Sequence, residues 1–357
     1  MKYLRPLVYV FSLYVLFSTL GCASSDSALR ERYFWPLPPN PARIEWITAY
    51  HSQLDLEKTA FRRLKEAVVG EDSPIGLIKP TEARIDDVHN KLYVADIEAA
   101  AVFVFDIAQS EFRMLPLHQA KLSGRIKPVG LALDREMNLF VLEPHQRKIL
   151  VFDHSEKYVR TLDVAEVCKR PIALTIDKIR QRLYVSDAEQ SKIFVLNLDG
   201  SLNYVIGGPG DSAGQLNRPV GMVVNSRGEL LVADAFNARI QFFDPKGKYL
   251  KSFGTRGTGE GDFQLIKSVA VDPDDNIYVA DGRANSIKIF NQSGDLLLAF
   301  GGYYAVSNSG KLAPGGFSLP ISIDIDKSGR MFIVDQLNAR VQVFQYLVPS
   351  TGSDPVR

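Results

Sequence analysis

Short apolar runs that end in an acid recur along the chain at near-constant spacing. They read Leu92-Tyr-Val-Ala-Asp96, Leu139-Phe-Val-Leu-Glu143, Leu183-Tyr-Val-Ser-Asp187, Leu230-Leu-Val-Ala-Asp234, Ile277-Tyr-Val-Ala-Asp281 and Met331-Phe-Ile-Val-Asp335. Runs of this length, rich in β-branched and aromatic residues and bounded by polar turns, predict buried β-strands. Each is preceded nine or ten positions earlier by Asp86, Asp134, Asp177, Asn225, Asp272 or Asp326. Six residues before that stands Pro80, Pro128, Pro171, Pro219 or Pro320, with Ile266 the exception. Proline suits the first position of a strand, and Asp or Asn the turn that leaves it. A third apolar run follows each time, as in Val102-Phe-Val-Phe105 and Val341-Gln-Val-Phe344, and a fourth after a short turn, as in Tyr249-Leu-Lys-Ser-Phe253.

Four strands in about 45 residues, repeated six times, is the arithmetic of a propeller blade. The predicted fold is therefore an all-β, six-bladed β-propeller over residues 43–347. Its blades fall at about 76–117, 124–163, 167–208, 212–254, 261–301 and 315–347. The sixth unit lacks a fourth strand. Residues 43–50 hold an apolar strand pattern with no neighbour of its own, so this segment is expected to complete the last blade and remove the open edge of the ring. Residues 55–69 carry apolar positions at three- and four-residue spacing before Gly70, which predicts one short helix covering an end of the propeller. Residues 22–42 read as a polar, then proline-rich tether, and 348–357 as a polar tail.

Composition changes this picture only at the margins. A formal net charge of +1 argues against a broad nucleic-acid footprint and leaves room for a local basic patch. The two cysteines, Cys22 and Cys168, are too few for a disulfide framework. Lys2 and Arg5 precede an apolar stretch from Leu7 to Leu20, shorter than the roughly 20 residues of a membrane-spanning helix. It runs into Thr19-Leu20-Gly21-Cys22, which resembles a bacterial lipobox. The resemblance implies a signal peptide over 1–21, lipidation at Cys22 and, because Ala23 rather than Asp follows, sorting to the outer membrane. The expected location is the cell envelope, with a lipid anchor.

The repeats resemble NHL repeats, and the whole resembles the six-bladed NHL lipoproteins of bacteria. Pro219-Val-Gly-Met, Gly228-Glu-Leu-Leu-Val-Ala-Asp234, Asn237-Ala-Arg239-Ile240 and Asp244-Pro-Lys-Gly247 carry the pattern best. Some NHL-type propellers are zinc-dependent lyases that gather histidines at the channel. Here His51, His89, His118, His145 and His154 fall at unlike places in the repeats. Related six-bladed lactonases use acid and amide ligands on the inner strands. Here that wall is mostly Gly, Ala and Ser. No cofactor, metal site or catalytic residue is expected. The favoured function is a tethered, monomeric binding or scaffolding module for a protein or envelope polymer. The alternative is a metal-dependent hydrolase or lyase at the channel mouth.

A few polar positions stand out against the repeat. Lys148, Lys192, Arg239 and Arg340 follow the second-strand acid by five residues, which predicts ion pairs within those blades. Asp96 and Asp281 lack such a cation and are candidate binding residues. Glu82, Arg84 and Asp324 replace small or apolar residues on the inner strands of blades one and six. An Arg84–Asp324 contact is predicted across the closing seam, with Glu82 nearer the channel mouth. It is read first as a pair that fixes closure and second as a polar or cation-binding spot. Tyr303 and Tyr304, in the long connection after blade five, are candidate anchors for a partner.

Overall fold

A computed structural model describes residues 31–57, 74–303 and 313–347. The described residues from Tyr33 on form an all-β, six-bladed propeller. Each blade is an antiparallel sheet whose first strand lies innermost. In blade four the strands are Pro219–Val224, Leu230–Asp234, Arg239–Phe243 and Tyr249–Phe253. The innermost strands of the others are Pro80–Asp86, Gly130–Leu133, Pro171–Asp177, Ile266–Val271 and Pro320–Ile325.

Burial explains the apolar runs. Second strands such as Leu230–Asp234 and Ile277–Asp281 are buried along their whole length, because sheets pack on both of their faces. Tyr93, Val102 and Val104 of blade one meet Leu131, Leu133 and Val141 of blade two in one such layer. The fourth strands face solvent on one side and are mostly exposed.

Near the axis the blades crowd. Two residues into the inner strands stand Glu82, Gly130, Ala173, Gly221, Ser268 and Ser322. A Cβ on Gly221 would lie 2.9 Å from the Cα of Ser268, so only glycine fits there. In five of the six blades the register slips by one residue just inside the inner strand, as between Pro219 and Gly221. Such a bulge bends the strand where it enters the ring.

The ring closes as the pattern predicts. Ile44–Tyr50 pairs antiparallel with Arg340–Tyr346, from Ile44↔Tyr346 to Tyr50↔Val341. Phe34–Trp35 then adds a fifth strand, paired with Glu45 and Ile44. The proline-rich end of the expected tether is thus part of blade six's sheet. The Trp35 ring lies 5.7 Å from Phe344 and 6.1 Å from Phe300, and this apolar contact holds it there.

The helix expected over 55–69 lies mostly outside the described residues. Its first residues differ from the expectation: Gln53–Asp55 is a single 3-10 turn and Leu56 is extended. Ser52 and Asp55 cap each other's backbone N–H groups, which defines that turn locally. The other described helices are also single 3-10 turns.

Inner strands begin at one face of the ring and end at the other. The start face carries the connections between blades and the turns between second and third strands. The end face carries the remaining turns.

Candidate functional site

The second-strand acids form a ring, and the structure shows what it does. Asp96 is fully buried. Its Oδ2 accepts the N–H groups of Ile78 and Lys79 at 2.7 and 2.9 Å. Its Oδ1 accepts those of Glu98 and Ala99 at 3.0 and 2.8 Å. One carboxylate therefore ties the chain entering the inner strand to the turn that follows the second strand. Asp187 repeats the arrangement with Lys169, Arg170, Glu189 and Gln190. Asp281 accepts from Gln264, Leu265 and Ala284, and Lys288 Nζ lies 3.6 Å away.

These contacts correct two sequence expectations. Asp96 and Asp281 carry no solvent-exposed oxygen for a ligand, because backbone donors consume them. The five-residue cation rule holds for Arg239–Asp234 at 2.9 Å and Arg340–Asp335 at 2.8 Å. It fails for Lys148, which turns to Asp163 on the neighbouring strand. It also fails for Lys192, since backbone N–H groups already saturate Asp187. Asp281 does have a cation, Lys288, supplied from seven residues on. The acids at the ends of the inner strands are turn caps throughout, as in Asp177, which accepts from Ile179 and Arg180.

At the seam, Arg84 Nη1 lies 2.6 Å from Glu82 Oε1 and 3.9 Å from Asp324 Oδ1. The closer partner is on its own strand, because residues two apart share a face. Ser322 of blade six donates to Glu82 at 2.5 Å, and the Ile85 N–H donates to Asp324 at 2.8 Å. Blades one and six are thus stitched by three polar side chains and a serine. Burial pushes the Glu82 and Asp324 carboxyls up, against the opposing pull of Arg84. Burial disfavours the Arg84 cation, yet Glu82 and then Asp324 more than offset it. Arg84 and Asp324 also line a cavity of about 250 Å³ at the end face, with Thr175, Lys178, Val223 and Asn225.

The remaining candidates separate. Tyr303 stands 70% exposed on the start face, in the connection after blade five. Tyr304 and Cys22 lie outside the described residues. Cys168 is buried between blades two and three, where burial pushes its thiol up to about 12, so it is a packing residue and not a nucleophile. The His89 and His154 rings stack at 5.8 Å across the blade one–two boundary, a contact that no sequence spacing announces. Beside them Glu156 receives Lys91 at 2.9 Å and Arg113 at 2.6 Å. Among the described residues, no three His, Cys, Asp or Glu side chains converge in a metal-holding group.

Comparison with known proteins agrees with this architecture. The family model DUF5128, a 6-bladed β-propeller, matches residues 216–298. A solved protein of unknown function from Bacteroides thetaiotaomicron superposes with a TM-score of 0.61 at 12% identity, covering 85% of this chain and 75% of its own. A streptogramin B lyase superposes with a TM-score of 0.55 at 12% identity, covering 78% of this chain and 84% of its own. A catalytically inactive virginiamycin B lyase from Staphylococcus aureus, solved with quinupristin, gives 0.54 at 12% identity, covering 78% and 86%. At this identity the likeness is one of fold.

Proposed function

We propose that this propeller is a binding module of the cell envelope, anchored through a lipid at Cys22 and presenting its start face to a protein or envelope polymer. One observation carries the reading. Six exposed large apolar side chains, Leu54, Ile75, Ile78, Phe236, Tyr303 and Leu337, belong to connections and turns of the start face. Leu37, Val88 and Ile179 do so on the end face among the described residues, half as many. Apolar groups gathered on one loop face favour association with a partner.

The same geometry weighs against the hydrolase or lyase reading. The two carboxylates of the channel wall already share a guanidinium, which occupies the place a divalent cation would need. The lyases with the same fold lend no residue to this argument at 12% identity. Metal analysis of the purified full chain separates the two readings. The binding role predicts no tightly held stoichiometric metal, and one metal ion per chain surviving dialysis would overturn it. No helix among the described residues is long and apolar enough to cross a membrane. Palmitate labelling should vanish in Cys22→Ser, and labelling that survives refutes the anchor.

A further inference from the structure

The six inner strands surround the channel, each in contact with the next. The residue just before each strand therefore stands at the channel rim on the start face. Counting from the repeat prolines and Ile266, these residues are Lys79, Lys127, Arg170, Arg218, Leu265 and Leu319. Blade five, where the pattern turns apolar, supplies Lys267 one residue inside the strand instead. Five cations thus stand around the start of the inner strands in a chain whose net charge is +1.

The acid ring fixes two of their backbones: the Lys79 N–H is held by Asp96 at 2.9 Å and the Arg170 N–H by Asp187 at 2.7 Å, while the Arg218 N–H donates to Ser191 Oγ at 3.4 Å. The Lys267 stem packs over Gly282, where a Cβ would lie 2.7 Å from its Cγ. Burial, and then the charge of Arg218, push the Lys267 amine below its ordinary range. Among the described residues, none of the five side chains has a carboxylate or a hydrogen-bond acceptor. Arg218 instead lies 5.2 Å over the ring of Phe236. The acids directly behind the rim, Asp96 and Asp187, are buried and spent on backbone N–H groups, while the exposed Glu98 and Glu189 sit one strand further out and Glu189 lies 4.0 Å from Lys169. Several cations elsewhere are used: Lys91, Arg113, Arg239, Arg330 and Arg340 all meet acids. A ring of unpaired cations holds a standing positive potential that an anion relieves.

We infer that this rim docks an acidic polypeptide segment of a partner protein, one that also carries apolar side chains. The inference rests on the binding role proposed above and gives it a chemistry. Leu265 and Leu319 complete the rim, and the exposed Ile78, Phe236 and Leu337 flank it. A purely charged polymer would leave those apolar groups in water.

The test is fluorescence anisotropy with a labelled peptide of about a dozen alternating Glu and Leu residues, titrated with the full chain. Saturable binding at one peptide per chain, weakened by added salt, is expected. Lys79→Glu with Arg170→Glu, both exposed positions, should raise Kd about tenfold. Lys267→Gln should raise it several-fold. Lys157→Glu with Lys246→Glu, on the end face, should leave it within about twofold. Equal binding of the Gln-for-Glu peptide, or no effect of the rim reversal, overturns the inference. So does stronger competition by inorganic polyphosphate or by phosphatidylglycerol vesicles, which moves the rim to another ligand. A wild-type chain that ignores the acidic peptide yet crosslinks a partner through position 303 overturns the inference and leaves the binding role standing. A chain that does neither overturns both.

Discussion

Replacing Asp96 tests the architectural reading of the acid ring. Asp96→Ala removes one carboxylate and strands four N–H groups, those of Ile78, Lys79, Glu98 and Ala99. A hydrogen bond to a charged acceptor contributes about 1.5–3 kcal/mol net. Four such bonds do not add, because they share one acceptor whose desolvation the folded state already bears. Water can also reach the turn at Glu98, which is exposed. The cost of breaking a buried polar network, about 3–5 kcal/mol, is the appropriate scale. Asp96→Asn keeps one acceptor oxygen and turns an amide NH2 toward two of the donors, so about 2 kcal/mol is expected. The assay is urea denaturation followed by tryptophan fluorescence, since Trp35 and Trp46, the two tryptophans of the chain, both sit in the closing blade, which packs on blade one. A lowered midpoint at unchanged slope is expected. An Asp96→Ala midpoint equal to that of wild type refutes the claim that this acid is structural.

Three further outcomes follow from the packing. Gly221→Ala should lose about 1–3 kcal/mol, because its Cβ meets backbone at 2.9 Å, whereas Gly130→Ala, with a nearest contact of 3.5 Å, should be tolerated; thermal melts distinguish them. Ile44→Ala in the closure strand should cost about 2–4 kcal/mol, since Ile44 is fully buried, while Ile47→Ala, 44% exposed at the strand's bulge, should stay within about 0.5 kcal/mol by denaturant titration. Burial pushes Glu156 up, but hydrogen bonds from Arg113 and Lys91 hold it below the usual carboxylate range. A depressed folded value contributes stability that is present above the unfolded value and lost as pH falls through the folded one. Glu156→Gln should therefore cost about 1–2 kcal/mol at neutral pH, and the gap to wild type should close below about pH 4. A gap that persists in acid contradicts the pairing.

The fold was legible because its determinants repeat. Leu-Tyr-Val-Ala-Asp and its five variants mark buried second strands, and the missing fourth strand of blade six points back to Ile44–Tyr50. The Trp35 contact was not legible, since it depends on Phe300 and Phe344, distant in sequence and joined only by the closed ring. The role of the acids is only half legible in the sequence. Their role as turn caps follows from local spacing, but the capping of the inner strand by Asp96 joins residues 17 and 18 apart, and no short pattern encodes it. For the same reason the lack of a cation five residues after Asp96 does not mean a free carboxylate. Arg84 and Glu82 share a strand face by simple alternation, a signal that favours their pairing over the more distant Asp324. The rim cations were visible all along as the residues before the prolines, but they become a ring only once six inner strands surround one channel.

The binding role is tested most directly by placing a photo-crosslinking amino acid at two exposed positions of the full chain in intact cells. Tyr303 is 70% exposed on the start face and Ile179 is 76% exposed on the end face, so accessibility does not favour the first. Discrete adducts from position 303 and none from position 179 are predicted. Adducts from position 179 alone, or from neither, would contradict the proposal that this propeller works by presenting its start face to a partner.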